Sequence, residues 1–141
     1  MERKLSMEDI QLLNSLERAT GARAVDAVIT QDSVLFVVAP GQIGKAVGKG
    51  GSNVRKLENF FGGKKVEMVE GADSIGEFLS HAFAPAEVIS VEEVSNNGKN
   101  EAVVKVDENS KGIAIGRNGE KIKRARMLAK RLFNVDDVKI L

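Results

Sequence analysis

Residues 44–51 read GKAVGKGG and residues 112–119 read GIAIGRNG, so a glycine-rich octet recurs at an offset of 68 in a chain of 141 residues. A repeat at half the chain length leaves room for two small copies of one fold and little besides. Each copy alone would bury a marginal core. With 43% hydrophobic and 29% charged residues, the composition is that of a folded rather than a disordered chain.

The surroundings of the two octets agree. In the first copy, Ser6 with Asp9 three residues on is a helix start, and Met7, Ile10, Leu13 and Leu16 follow at helical spacing up to Gly21. Val25, Ala27 and Ile29 alternate with Asp26, Val28 and Thr30 as a half-buried strand. After a turn at Gln31-Asp32, the unbroken apolar run VLFVVA predicts a central strand. A short helix is expected over 42–47. Beyond the glycine turn, a second helix carries Val54, Leu57 and Phe61 and stops at Gly62-Gly63, and KKVEMVE closes the copy as a strand.

The second copy begins with a short helix over 73–82. Pro85 opens a strand AEVISVEEV, Asn97-Gly98 is a hairpin turn, and EAVVKV is its return strand. A short helix over 109–115 and the second glycine turn follow. A longer helix then points Ile122, Ala125, Ala129 and Leu132 inward and crowds Lys121, Lys123, Arg124, Arg126, Lys130 and Arg131 on its other faces, before a last strand VDDVKIL. Both copies therefore read helix–strand–strand–helix–turn–helix–strand, an α+β pattern with domains at 1–71 and 72–141. Glu70 to Asp73 leaves almost no linker, so the expectation is a fairly rigid pair.

Net charge is only +1, but residues 41–65 hold six basic side chains against Glu58 alone, and residues 111–131 hold eight against Glu120 alone. Residues 66–110 reverse the balance, with two basic and ten acidic. Two basic blocks centred on the two glycine turns suit a polyanion. Solvated helix faces are the plainer alternative for the charge by itself. Cysteine is absent and His81, read as a helix-end residue, is the only histidine, so thiolate chemistry is excluded and no metal or cofactor is expected. No apolar run is long enough to span a membrane, and MERKLSMEDI lacks the apolar stretch of a leader, which makes cytoplasmic residence the expectation.

Each turn places Gly, two residues and Gly between two helices: Gly48, Lys49, Gly50 and Gly51, then Gly116, Arg117, Asn118 and Gly119. Glycine permits positive φ and leaves no Cβ in the way of an approaching backbone. The next helix aims its N–H groups and positive dipole end at the same place, and Lys49 or Arg117 adds a charge. That combination cradles phosphate. A single such turn would be read as a glycine-capped helix junction; two in matching basic contexts favour function. A nucleotide-hydrolysing P-loop fits badly. Only three residues separate Gly44 from Gly48-Lys49, and Gly50 stands where Ser or Thr is needed. A dinucleotide fingerprint begun at Gly48 would need glycine where Asn53 stands.

The element order with an apolar-GxxG turn resembles the type II KH domain, and FAPAEV beside AIGRNGEKI resembles the tandem KH region of the NusA family of transcription factors, in a short, archaeal-like form. The resemblance extends over about residues 5–141. It implies two tandem type II KH domains, each a three-stranded sheet packed on helices. It also implies a non-enzymatic binder of single-stranded RNA, acting in transcription termination, elongation or antitermination. By position, it implies RNA contacts from the eight turn residues and from neighbouring Lys45, Arg55, Lys56, Lys121, Lys123 and Arg124. Ile43, Val47, Val54, Ile115 and Ile122 would line the grooves, although core packing predicts the same spacing.

The chain has no room for the further domains of bacterial NusA-like proteins, so RNA polymerase and other transcription proteins stay open as partners of an expected monomer. Glu120 follows the second turn where Ser52 follows the first, and it would compete with phosphate for the helix N-terminus; the first turn is therefore expected to accept an anion more readily. Phe36, Phe60, Phe61 and Phe133 are assigned to the core, leaving base reading to hydrogen bonds and aliphatic contacts. Ribosome assembly or RNA decay is the alternative role for a tandem-KH protein. An adaptor whose acidic middle, residues 66–110, docks a basic partner is compatible with the transcriptional role.

Overall fold

The computed structural model describes residues 6–141; the first five, on which the expectation about the leader partly rests, lie outside the described residues. The described chain divides into two compact units, one ending at Ala72 and the other running Asp73–Leu141.

In the first unit, helix α1 (Met7–Thr20) opens on a reciprocal cap. The Ser6 hydroxyl accepts from the Asp9 N–H at 3.1 Å, and the Asp9 carboxylate accepts from the Ser6 N–H at 3.0 Å. Gly21 ends the helix at φ 74°, donating to the Glu17 carbonyl. Only the C-terminal half of the apolar stripe is buried: Leu13 and Leu16 are inside, whereas Met7 and Ile10 face water. Strands β1 (Ala24–Ile29), β2 (Ser33–Val38) and β3 (Lys65–Glu70) form one sheet in that order. β1 runs antiparallel and β3 parallel to the middle strand. Flanked on both sides, β2 buries every residue from Val34 to Val38, as its unbroken apolar run requires. Helices α2 (Ile43–Val47) and α3 (Ser52–Phe60) pack Ala46 and Leu57 onto the core around Phe36.

Two expectations need correcting here. Burial along β1 does not alternate: Val25 and Ile29 are exposed, and Asp26, Ala27 and Val28 are buried. The register shifts between Ala24 and Asp26, and the resulting bulge turns Asp26 inward, where its carboxylate accepts from the Ala27 N–H at 2.7 Å. Phe60, assigned to the core, is 70% exposed. It is the last residue of α3, one turn beyond the buried Leu57, where the helix runs past the core.

The second unit repeats the plan with α4 (Ile75–Phe83), β4 (Val88–Asn96), β5 (Lys99–Val106), α5 (Lys111–Ile115), α6 (Glu120–Phe133) and β6 (Asp137–Ile140). Its sheet order is β4-β5-β6, again antiparallel then parallel. Asn97 and Gly98 both take positive φ, 53° and 79°, as the two-residue hairpin turn demands. His81 lies in the last turn of α4, whose Phe78, Leu79 and Phe83 are fully buried. Along α6 the inward positions are Ile122, Ala125, Leu128 and Ala129; Leu132, expected among them, is only half-buried, and Leu128 takes its place. Both units are α+β with the element order expected of a KH domain. Among the described residues no helix is long and apolar enough to cross a membrane.

Candidate nucleic-acid interface

Each glycine turn is a single 3-10 turn, Lys49–Gly51 or Arg117–Gly119, wedged between two helices. The two have nearly the same backbone. Gly48 sits at φ 77°, ψ 166° and Gly116 at φ 78°, ψ 172°, a region open essentially to glycine alone. The third positions are left-handed, Gly50 at φ 62° and Asn118 at φ 56°, and the fourth follow suit, Gly51 at 76° and Gly119 at 71°. Asparagine is among the few side-chain-bearing residues that tolerate this region, which explains why Asn118 replaces a glycine without changing the path.

Internal hydrogen bonds fix the shape. Gly48 and Gly116 donate to the carbonyls of Gly44 and Gly112, each at 3.0 Å, closing the preceding helices. Gly51 and Gly119 donate back to Gly48 and Gly116 at 3.1 Å, and the N–H groups of Ser52 and Glu120 donate to Lys49 and Arg117. These late N–H groups are therefore engaged within the turn, and its outer rim is left to Lys49-Gly50 and Arg117-Asn118, all four exposed. A Cβ on Gly50 would meet nothing within 4 Å.

Side chains brace the turns differently. At the first, Asn53 donates its amide to the Lys45 carbonyl at 3.1 Å, and Arg55 reaches back to the Gly50 carbonyl at 2.7 Å. At the second, Lys121 stands where Asn53 does, and its ammonium donates to the Ala84 carbonyl at 2.7 Å, tying α6 to the segment before β4. Of the cations assigned to RNA, Lys45, Lys49, Arg55, Lys56, Arg117 and Lys123 are exposed, whereas Lys121 and Arg124 are half-buried. The basic blocks thus surround both turns, with Arg55 and Lys121 also holding structure.

The groove residues divide. Val47 is half-buried and Ile115 is 43% exposed, each immediately before its turn. Ile43 and Val54 pack against the first core, and Ile122 is buried in the second unit, so these three serve packing first. Ile113, which the sequence reading passed over, is 46% exposed on α5 beside Ile115. Lys45 holds the matching place in the first copy, so the repeat itself gave no signal for it.

The family described as the NusA-like second KH domain matches residues 75–140. The "Probable transcription termination protein NusA" of Halococcus morrhuae is 42% identical over 124 residues, covering 88% of each chain. That of Methanococcus vannielii is 36% identical over 142 residues, covering all of this chain and 81% of the relative. The crystal structure of APE1850 superposes with a TM-score of 0.86 at 29% identity, covering 97% of this chain and 100% of that one. Identity at this level across nearly the whole length, on a shared two-unit fold, places the chain in the NusA family as a tandem KH protein.

Proposed function

We propose that the protein binds single-stranded RNA through both glycine turns and acts on transcripts in termination or elongation control. The supporting observation is the recurrence of one rare backbone path, at Gly48–Gly51 and Gly116–Gly119, each inside a block of exposed cations. Two such paths let a nucleotide backbone come close to the main chain, with no side chain at Gly50 and only the short Asn118 amide at the matching place, and Lys49 and Arg117 neutralise the phosphates. Relatives named for transcription termination support the role. The protein carries no catalytic step in this reading; it works as a monomer in the cytoplasm, with RNA polymerase or other transcription proteins as further partners. Two modules on one strand raise avidity beyond either alone.

The test is a Lys49→Asp, Gly50→Asp double change, paired with Arg117→Asp, Asn118→Asp. Asn118 already holds a side chain at the position matching Gly50, so the variants retain the fold. Affinity for a single-stranded RNA pool falls in both. It also falls with salt, log Kobs dropping by about 0.7 per neutralised phosphate per decade. Unaltered affinity in either double variant removes that turn from the mechanism.

A further inference from the structure

Phe60 is an exposed ring that is nonetheless held in place. Its edge meets Phe61 at a centroid distance of 5.1 Å and an interplanar angle of 83°, and Phe61 in turn packs on the buried Phe36 at 6.2 Å. Phe60 closes one end of an open groove of about 580 Å³ between α1 and α3, whose other walls include Gln11, Ser15, Arg18 and Lys56. A smaller hollow of about 350 Å³, which shares Gln11, Ser15 and Phe60 with the groove, is edged by Glu8 and Asp9. Phe60 thus borders one hollow lined by cations and one lined by carboxylates.

We infer that the α1/α3 groove is a second contact for the RNA held at the first turn, in which a base stacks on Phe60 while Arg18 and Lys56 take phosphate. This rests on the RNA-binding reading above. Ser52, Lys56 and Phe60 recur at a spacing of four along α3, so they lie on one stripe that leads from the glycine turn to the ring, about 12 Å away. An aromatic face beside cations is the combination that accepts unpaired bases without sequence preference. Gln11 adds a hydrogen-bond donor and acceptor for base edges, and Ser15, whose hydroxyl donates to the Leu12 carbonyl, adds an acceptor. The acidic hollow sets the direction: the strand enters from the Arg18 and Lys56 side. The second unit has no such platform, because the residue matching Phe60 is Leu128, fully buried in α6.

The sequence contains neither Trp nor Tyr, so Phe60→Trp installs a single fluorophore at the ring. Titration of an oligoribonucleotide long enough to pass both sites is expected to quench it. Phe60→Ala is expected to weaken binding by roughly 5- to 100-fold, and Phe60→Leu, which keeps the apolar bulk without a flat face, is expected to recover little of it. Arg18→Ala adds a smaller loss and a shallower salt dependence. RNA that binds with the tryptophan silent and with Phe60→Ala at full affinity overturns the inference, and assigns the groove to a protein partner instead. RNA that fails to bind even the unaltered chain overturns the reading it rests on.

Discussion

Residues 68 apart perform the same task in the two units with different side chains. The middle strand of the first sheet carries Phe36, fully buried; the matching residue of the second is Val104, also fully buried, and the rings of that unit are on helices instead, as Phe78, Phe83 and Phe133. At the turns the main chain is nearly superposable, yet a methyl on Gly48 would meet the Ser52 hydroxyl and the Asn53 amide at 2.8–2.9 Å. On Gly116 it would meet the Lys121 Cβ at 2.7 Å and the Lys121 N at 3.0 Å. What the copies share is the backbone of the turn; core packing and bracing have diverged around it.

The comparison is broken or sharpened first at the cores. Phe36→Ala is expected to cost about 3–5 kcal/mol, and Val104→Ala about 2 kcal/mol, since fewer buried carbons are lost. Urea midpoints measure both; equal losses would mean that the ring at Phe36 is not the centre of its core. The turns come next. Gly48→Ala and Gly116→Ala each force a side chain into glycine-only space, worth about 1–3 kcal/mol. The cost is larger at Gly116, where the clash is with a Cβ and a main-chain nitrogen rather than with side-chain ends that turn aside. A greater loss at Gly48 would reverse the assignment of the stiffer turn.

Asp26 and Phe60 show where sequence reasoning runs out. Helices, strands and their order were legible because caps, apolar periods and Asn-Gly are local signals, and the octet repeat singled out the two turns taken as the candidate site. A bulge is set by pairing across strands, so nothing near Asp26 announced its burial. Phe60 and Phe61 are adjacent at the end of α3 and only one faces Phe36; composition does not say which. The latches from Arg55 to Gly50 and from Lys121 to Ala84 span 5 and 37 residues. The first belongs to no helical pairing rule and the second depends on tertiary placement.

Smaller effects test the charges. Exchanging Ser52→Glu and Glu120→Ser is expected to move RNA affinity in opposite directions, a loss at the first turn and a gain at the second. Each is about 2- to 5-fold, the worth of one charge at a helix N-terminus. Movement in the same direction would show that Glu120 does not compete with phosphate. Smallest of all is an acid-side term confined to the second unit. The Asp136 carboxylate accepts from Lys130 at 2.6 Å and from the Asn100 N–H at 2.9 Å, and these two bonds, Lys130 first, hold its pKa below the ordinary value. A depressed folded pKa gives stability that is present above the unfolded value and is lost as pH falls through the folded one, here below about pH 4. Asp136→Asn should flatten that part of the pH profile and leave the slope near neutrality unchanged; an unchanged acid limb would discount the pair.

The closing strand of each unit lies beside the middle one and parallel to it, reached only after two helices. Such a sheet stays incomplete until its final strand exists, however early its hairpin forms. β3 ends at Glu70, before any strand of the other sheet begins. During synthesis the first sheet can therefore form, with its turn already shaped, while the second is still incomplete, and the nascent chain acquires its two glycine turns one after the other.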